Sequence, residues 1–110
     1  KVVERMSNGR KQAYLGTHGT DVTVEANENL GVPYGAYITE IEMDSPAMEA
    51  GIQSGDVIVE MWGKGIHTYS DLVNAVMEGQ PNEMMAITLM RQGPEEYVQM
   101  EVNVTLGDLE

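Results

Sequence analysis

Ser45-Pro46-Ala47-Met48-Glu49-Ala50-Gly51-Ile52-Gln53-Ser54-Gly55-Asp56-Val57-Ile58 is the stretch on which the fold turns. The Ser45 hydroxyl can cap a helix, and Pro46 stands at the first helical position, where no N–H is needed and φ is already set. Gly51 can adopt the left-handed conformation that closes a helix. One helical turn fits between them. Asp56 to Trp62 then reads as a buried strand, with Val57, Val59 and Met61 alternating against Ile58 and Glu60.

Upstream, Gly35 to Glu42 alternates, placing Tyr37, Thr39 and Ile41 on one face and Ala36, Ile38 and Glu40 on the other, which is a strand pattern. Thr23 to Leu30 reads as a short helix stopped by Gly31, with Pro33 beyond it. Before that, Tyr14-Leu15-Gly16-Thr17 is a glycine-containing turn entering a short strand from Leu15 to His18. Residues 1–12 hold no sustained apolar period and contain Ser7-Asn8-Gly9, which is linker chemistry.

Downstream, Trp62-Gly63-Lys64-Gly65-Ile66 reads as a tight turn into a brief strand. Thr68 opens a second full helix, with Asp71 three positions on as a weak capping box, and Gly79 ends it. Met84 to Arg91 and Glu96 to Leu106 form two strands of a hairpin through Gln92-Gly93-Pro94-Glu95. These strands are too short and too separated for a doubly wound sheet. The expected class is α+β, a small, partly open barrel or sandwich of five to six strands with two helices.

The 110 residues suit one domain, and 42% hydrophobic residues supply a single core. Nine Met and no Phe make that core adaptable. Cysteine is absent, so neither disulfides nor thiol chemistry is available. The formal net charge is −12 and unevenly spread: Lys1, Arg5, Arg10 and Lys11 precede a body with 17 acidic residues against Lys64 and Arg91 alone. Such a body repels phosphate backbones and anionic lipid, which argues against nucleic-acid partners. The balance reads first as plain solubility, and as a functional feature it would favour basic peptides. No apolar run is long enough to insert into a membrane, and the polar, basic start from Lys1 to Lys11 does not read as a signal peptide.

The Ser45 to Ile58 stretch resembles the SPA-x-x-AG-x-x-x-GD-x-I signature of PDZ domains, and Tyr14-Leu15-Gly16-Thr17 resembles the carboxylate-binding loop of that family. Within the family the chain is most similar to the domains that follow the protease in HtrA/DegP-type serine proteases. Tyr14-Leu15-Gly16 stands for the "YLG" loop, Leu30-Gly31-Val32-Pro33 for "LG-x-P", and Gly35-Ala36-Tyr37-Ile38 for "GA-x-I". The resemblance implies a linker over residues 1–12 leaving a protease domain, a PDZ domain over 13–107 and a tail over 108–110. It implies a bacterial protein in an extracytoplasmic setting, whether periplasm, cell envelope or secreted, and partners that are the free C-termini of unfolded or misfolded polypeptides plus the protease domain of the parent chain.

On that resemblance, the backbone of Tyr14, Leu15, Gly16 and Thr17 receives the terminal carboxylate, with Arg10 or Lys11 assisting through charge. Successive N–H groups of such a turn can converge on one anion. The ligand then adds as a strand to the edge that follows, beside His18 and Gly19. The first, fifth and eighth residues of the facing helix, here Tyr69, Val73 and Val76, flank it, with Met77 at the rim. Thr17 and Gly19 are smaller than the apolar residues usual in the family, so a roomier pocket is expected, suited to a terminal Leu, Met, Phe or Tyr.

A catalytic reading finds little support in the residues. His18 and His67 are the only histidines, and the serines are Ser7, Ser45, Ser54 and Ser70, with neither a G-x-S-x-G nor an H-E-x-x-H pattern. The carboxylates lack EF-hand spacing, and no metal or cofactor is expected. His18 adjoins the groove and could contact ligand or respond to pH. Two other readings stay open: a PDZ domain of another envelope protein, such as a C-terminal processing or intramembrane protease or a secretion component, and a small enzyme of unrecognised type.

Overall fold

The computed structural model describes residues 13–108. Its elements run β1 (Ala13–Tyr14), β2 (Thr17–Asp21), α1 (Val24–Leu30), β3 (Ala36–Ile41), α2 (Pro46–Ala50), β4 (Val57–Met61), β5 (Lys64–Gly65), α3 (Tyr69–Glu78), β6 (Met84–Gln92), β7 (Tyr97–Thr105) and β8 (Gly107–Asp108). The main sheet has the order β2-β3-β4-β6-β7, with β5 paired to β4, and its pairs are antiparallel. The path does not close, so the architecture is an open sandwich and β2 is an end strand. A two-stranded sheet joins β1 to β8.

The Ser45 to Ile58 stretch folds as its chemistry dictates. Ser45 Oγ accepts the Met48 N–H at 3.2 Å, Pro46 sits inside the first turn, and Gly51 closes it at φ 92°. Counted as a helix, α2 brings the total among the described residues to three, one more than the two full helices expected. α1 is capped by Thr23 and closed by Gly31 at φ 71°, yet none of its residues is buried. It rides on the surface.

Two apolar layers cover the sheet. Ile38, Ile58, Met61, Leu72, Met85, Ile87, Leu89 and Leu106 form the main core under α2 and α3, and Val22, Val32 and Val57 form a smaller one on the other face. β4 lies between the two. Strict alternation would put Met61 with Val57, but the register to β6 slips between Ile58 and Glu60, and Met61 joins Ile58 in the main core. One extra residue in a strand inverts the facing of all that follow.

A second departure concerns the start of β2. The strand begins at Thr17, not Leu15, because Gly16 holds φ 91° and breaks the extended run. Leu15 is buried, packed in the main core. Residues 1–12, with the expected linker and Arg10 and Lys11, lie outside the described residues.

Candidate functional site

A groove of about 200 Å³ runs between β2 and α3. That is smaller than a pocket for a drug-sized molecule and is of the order of a side chain or two. Its mouth is formed by Tyr14, Leu15, Gly16 and Thr17, its far wall by Tyr69, Val73, Val76 and Met77, and its floor includes Leu72. Ala13 and Glu42 complete the lining.

The helix presents two faces for simple geometric reasons. At 100° per residue, Tyr69, Val73 and Val76 share an arc, and Leu72 and Ala75 lie beside it. Leu72 and Ala75 are buried, while Val73 is 40% and Met77 58% exposed. The helix start is fixed by a reciprocal capping box: Thr68 Oγ1 accepts the Asp71 N–H at 3.1 Å, and Asp71 Oδ2 accepts the N–H groups of Thr68 and His67 at 3.2 and 3.0 Å. Those donors, that of His67 first, hold the Asp71 carboxyl below its ordinary value. The first turn is also tied to β2, since Asp21 Oδ1 accepts the Tyr69 N–H at 2.8 Å.

The loop is shaped by its carbonyls. Leu15 C=O accepts the Ala47 N–H of α2, and Gly16 C=O accepts the Glu42 N–H after β3, each at 2.9 Å. In a trans peptide the N–H points opposite to the C=O. The N–H groups of Gly16 and Thr17 therefore turn away from α2 and β3. A Cβ on Gly16 would lie 2.2 Å from Ser45 Cβ, so the loop glycine and the helix-capping serine are in direct contact. The Tyr14 to Thr17 loop and the Ser45 to Ile58 stretch are one structural unit.

Of the remaining expected residues, His18 and Gly19 are not among the groove walls. His18 sits on the outer rim, with Nε2 2.8 Å from Glu42 Oε2. The register between β2 and β3 slips after His18, where β3 carries one extra residue. Gly19 does not open the pocket as its small size suggested. A Cβ there would meet the Tyr37 carbonyl oxygen at 2.1 Å and Tyr69 Cε1 at 2.8 Å, so the space is already filled.

Glu42 is the site residue that the sequence reading missed. It lies just past β3, where its local pattern gives no signal, and it gathers Tyr14 and His18 at the loop. The Tyr14 hydroxyl donates to Glu42 Oε1. That bond pushes the Tyr14 hydroxyl above its ordinary 10.0 and, with His18 second, draws Glu42 below its ordinary 4.5. With Glu42 ionised, the His18 contact calls for the proton on Nε2. Among the described residues, no group of His, Asp and Glu side chains is arranged to hold a metal ion. Among them, too, no helix is long and apolar enough to cross a membrane.

Comparison with known proteins gives one consistent answer. The PDZ domain family model matches residues 11–104. The periplasmic pH-dependent serine endoprotease DegQ of Escherichia coli is 30% identical over 98 residues, covering 87% of this chain and 21% of that protein. A probable periplasmic DegP-like serine endoprotease of Hahella chejuensis is 35% identical over 101 residues, covering 90% of this chain and 21% of its own length. The chain thus spans about a fifth of the length of these relatives. Among solved structures, the HtrA-type protease AlgW with a decapeptide superposes with a TM-score of 0.77 at 22% identity, over 91% of this chain and 30% of that one. The HtrA3 PDZ domain bound to the phage-derived ligand FGRWV gives 0.73 at 23% identity, over 91% and 89%.

Proposed function

Because the chain belongs to the PDZ domain family, we propose that the groove between β2 and α3 takes the free C-terminal end of another polypeptide, which adds to β2 as an antiparallel strand. The observation that carries this reading is the loop: the carbonyls of Leu15 and Gly16 are engaged on one side, which leaves the amides of Gly16 and Thr17 for an anion on the other. β2, an end strand of the sheet among the described residues, follows directly, and an apolar wall from Val73, Val76 and Met77 stands opposite. Main-chain pairing supplies affinity, and the wall selects the last side chain. Arg10 and Lys11 add attraction for the carboxylate.

The module then serves as the recruiting or regulatory domain of an HtrA-type serine protease in the parent chain, acting outside the cytoplasm on unfolded or misfolded proteins. The similarity to periplasmic DegQ- and DegP-like endoproteases supports this setting. Titrating one peptide as free acid and as C-terminal amide tests the site. Loss of a hydrogen-bonded charge costs about 1.5–3 kcal/mol, so the amide is expected to bind about 10- to 150-fold more weakly. Equal affinities would remove the loop from the proposal.

A further inference from the structure

Tyr69 is tied to β2 at both of its ends. Its N–H donates to Asp21 Oδ1 at 2.8 Å, and its hydroxyl donates to the Thr17 C=O at 2.9 Å, with Thr17 Oγ1 3.3 Å away. Between these ends the ring passes over Gly19, where Cε1 and Cδ1 stand 2.8 and 3.0 Å from the position a Cβ would take. The ring therefore runs along β2 from Gly19 to Thr17.

Which edge of β2 this covers follows from the ladder. The Glu42 N–H donates to the Gly16 C=O beside the Thr17–Ile41 pair, which marks Thr17 and Ile41 as a non-hydrogen-bonded pair of the ladder. The N–H and C=O of Thr17 therefore point away from β3, to the edge that β3 leaves free. The Thr17 carbonyl is thus the first acceptor that a strand added to β2 would use, and it is occupied from within. A carbonyl has two lone pairs and could accept a second donor. In the free protein one of them is already taken by the Tyr69 hydroxyl.

We propose, on the reading that the groove takes a C-terminal peptide, that Tyr69 locks the β2 edge in the free protein and that ligand enters only when its ring swings away. The small residues Thr17 and Gly19 then have a role of their own: they seat the Tyr69 ring rather than a large ligand side chain. Asp21 remains the pivot, holding the backbone of Tyr69 while the side chain moves. A lock of this kind lowers apparent affinity by the fraction of molecules that are open.

The test is equilibrium and stopped-flow binding of two free-acid pentapeptides, FGRWV and FGRWL, to wild type and to Tyr69→Phe. Tyr69→Leu serves as a second variant without a hydroxyl, and thermal melts establish that each is folded. Removing the hydroxyl tether is expected to tighten binding about fivefold, the size of one net hydrogen bond, with the gain in the association rate. Binding by the variants alone supports the lock equally. If wild type binds and Tyr69→Phe binds equally or more weakly, the hydroxyl does not hold the edge shut and the lock is overturned while peptide binding stands. If no form binds either peptide, both the lock and the peptide-binding reading fall.

Discussion

Arg91 grips both oxygens of Asp56, with Nε 2.9 Å from Oδ1 and Nη2 2.7 Å from Oδ2. The same Nη2 donates to the Gly51 C=O at 2.9 Å, and Asp56 Oδ2 also accepts the Gln53 N–H at 2.8 Å. The aspartate of the Ser45 to Ile58 stretch therefore fastens the loop after α2 to strand β6, at a carboxylate that is 1% exposed.

Arg91→Met leaves that carboxylate buried and without its cation. Breaking a buried pair from one side costs about 3–5 kcal/mol, and the lower end is expected because the Arg91 side chain is 26% exposed. Asp56→Asn, which can still accept from Gln53, should cost less. Chemical denaturation of the two variants checks the order, and a reversed order would show that leaving the Asp56 carboxylate without its cation is not the main cost.

The faces of α3 divide its work. Leu72 is 1% exposed, and Leu72→Asp should unfold the domain, since a charge there has no partner. Val76 lines the groove at the border of the core, and Val76→Asp should keep the fold while abolishing peptide binding. Circular dichroism and peptide titration on both variants decide the matter; identical responses would refute the division.

Gly16 is irreplaceable on two counts, its φ of 91° and the 2.2 Å approach of Ser45 Cβ to any Cβ placed there. Gly16→Ala is expected to destabilise by at least about 2 kcal/mol, from left-handed strain plus overpacking. It should also disturb the amide pair at the groove mouth. Pairing it with Ser45→Gly, which removes the opposing Cβ, is expected to restore part of the lost stability despite the lost cap; no restoration would place the whole cost in the backbone.

The Tyr14–Glu42 contact predicts a pH window. Glu42 is lowered in the fold, so its contribution is present above 4.5 and is lost as pH falls through the folded value. Tyr14 is raised, so its contribution is present below 10.0 and is lost as pH climbs through its folded value. Melting temperature measured from acid to alkaline pH should lose part of both slopes in Glu42→Gln and in Tyr14→Phe. Profiles parallel to wild type would mean that the contact carries no linkage.

Much of this molecule was written in its local chemistry. Ser45, Pro46 and Gly51 specify one helical turn by capping alone, and Thr68 with Asp71 specify the start of α3. The spacing of Tyr69, Val73 and Val76 against Leu72 and Ala75 marks two helix faces, since a 3.6-residue period is a property of the chain itself. What local chemistry left open is whatever depends on distant backbone. The slip at Ile58 to Glu60 that moves Met61 to the main core arises from pairing with β6, and no single strand encodes it. Glu42, remote in sequence from Tyr14 and His18, becomes their shared partner only once β3 lies beside the loop. The family, the order of elements and the loop glycine are legible in the residues alone, because caps, turns and periodicity act within a few positions. Tertiary structure alone decided that Tyr69, 52 positions from Thr17, fills the space that Thr17 and Gly19 leave, because that contact exists only when α3 packs across β2.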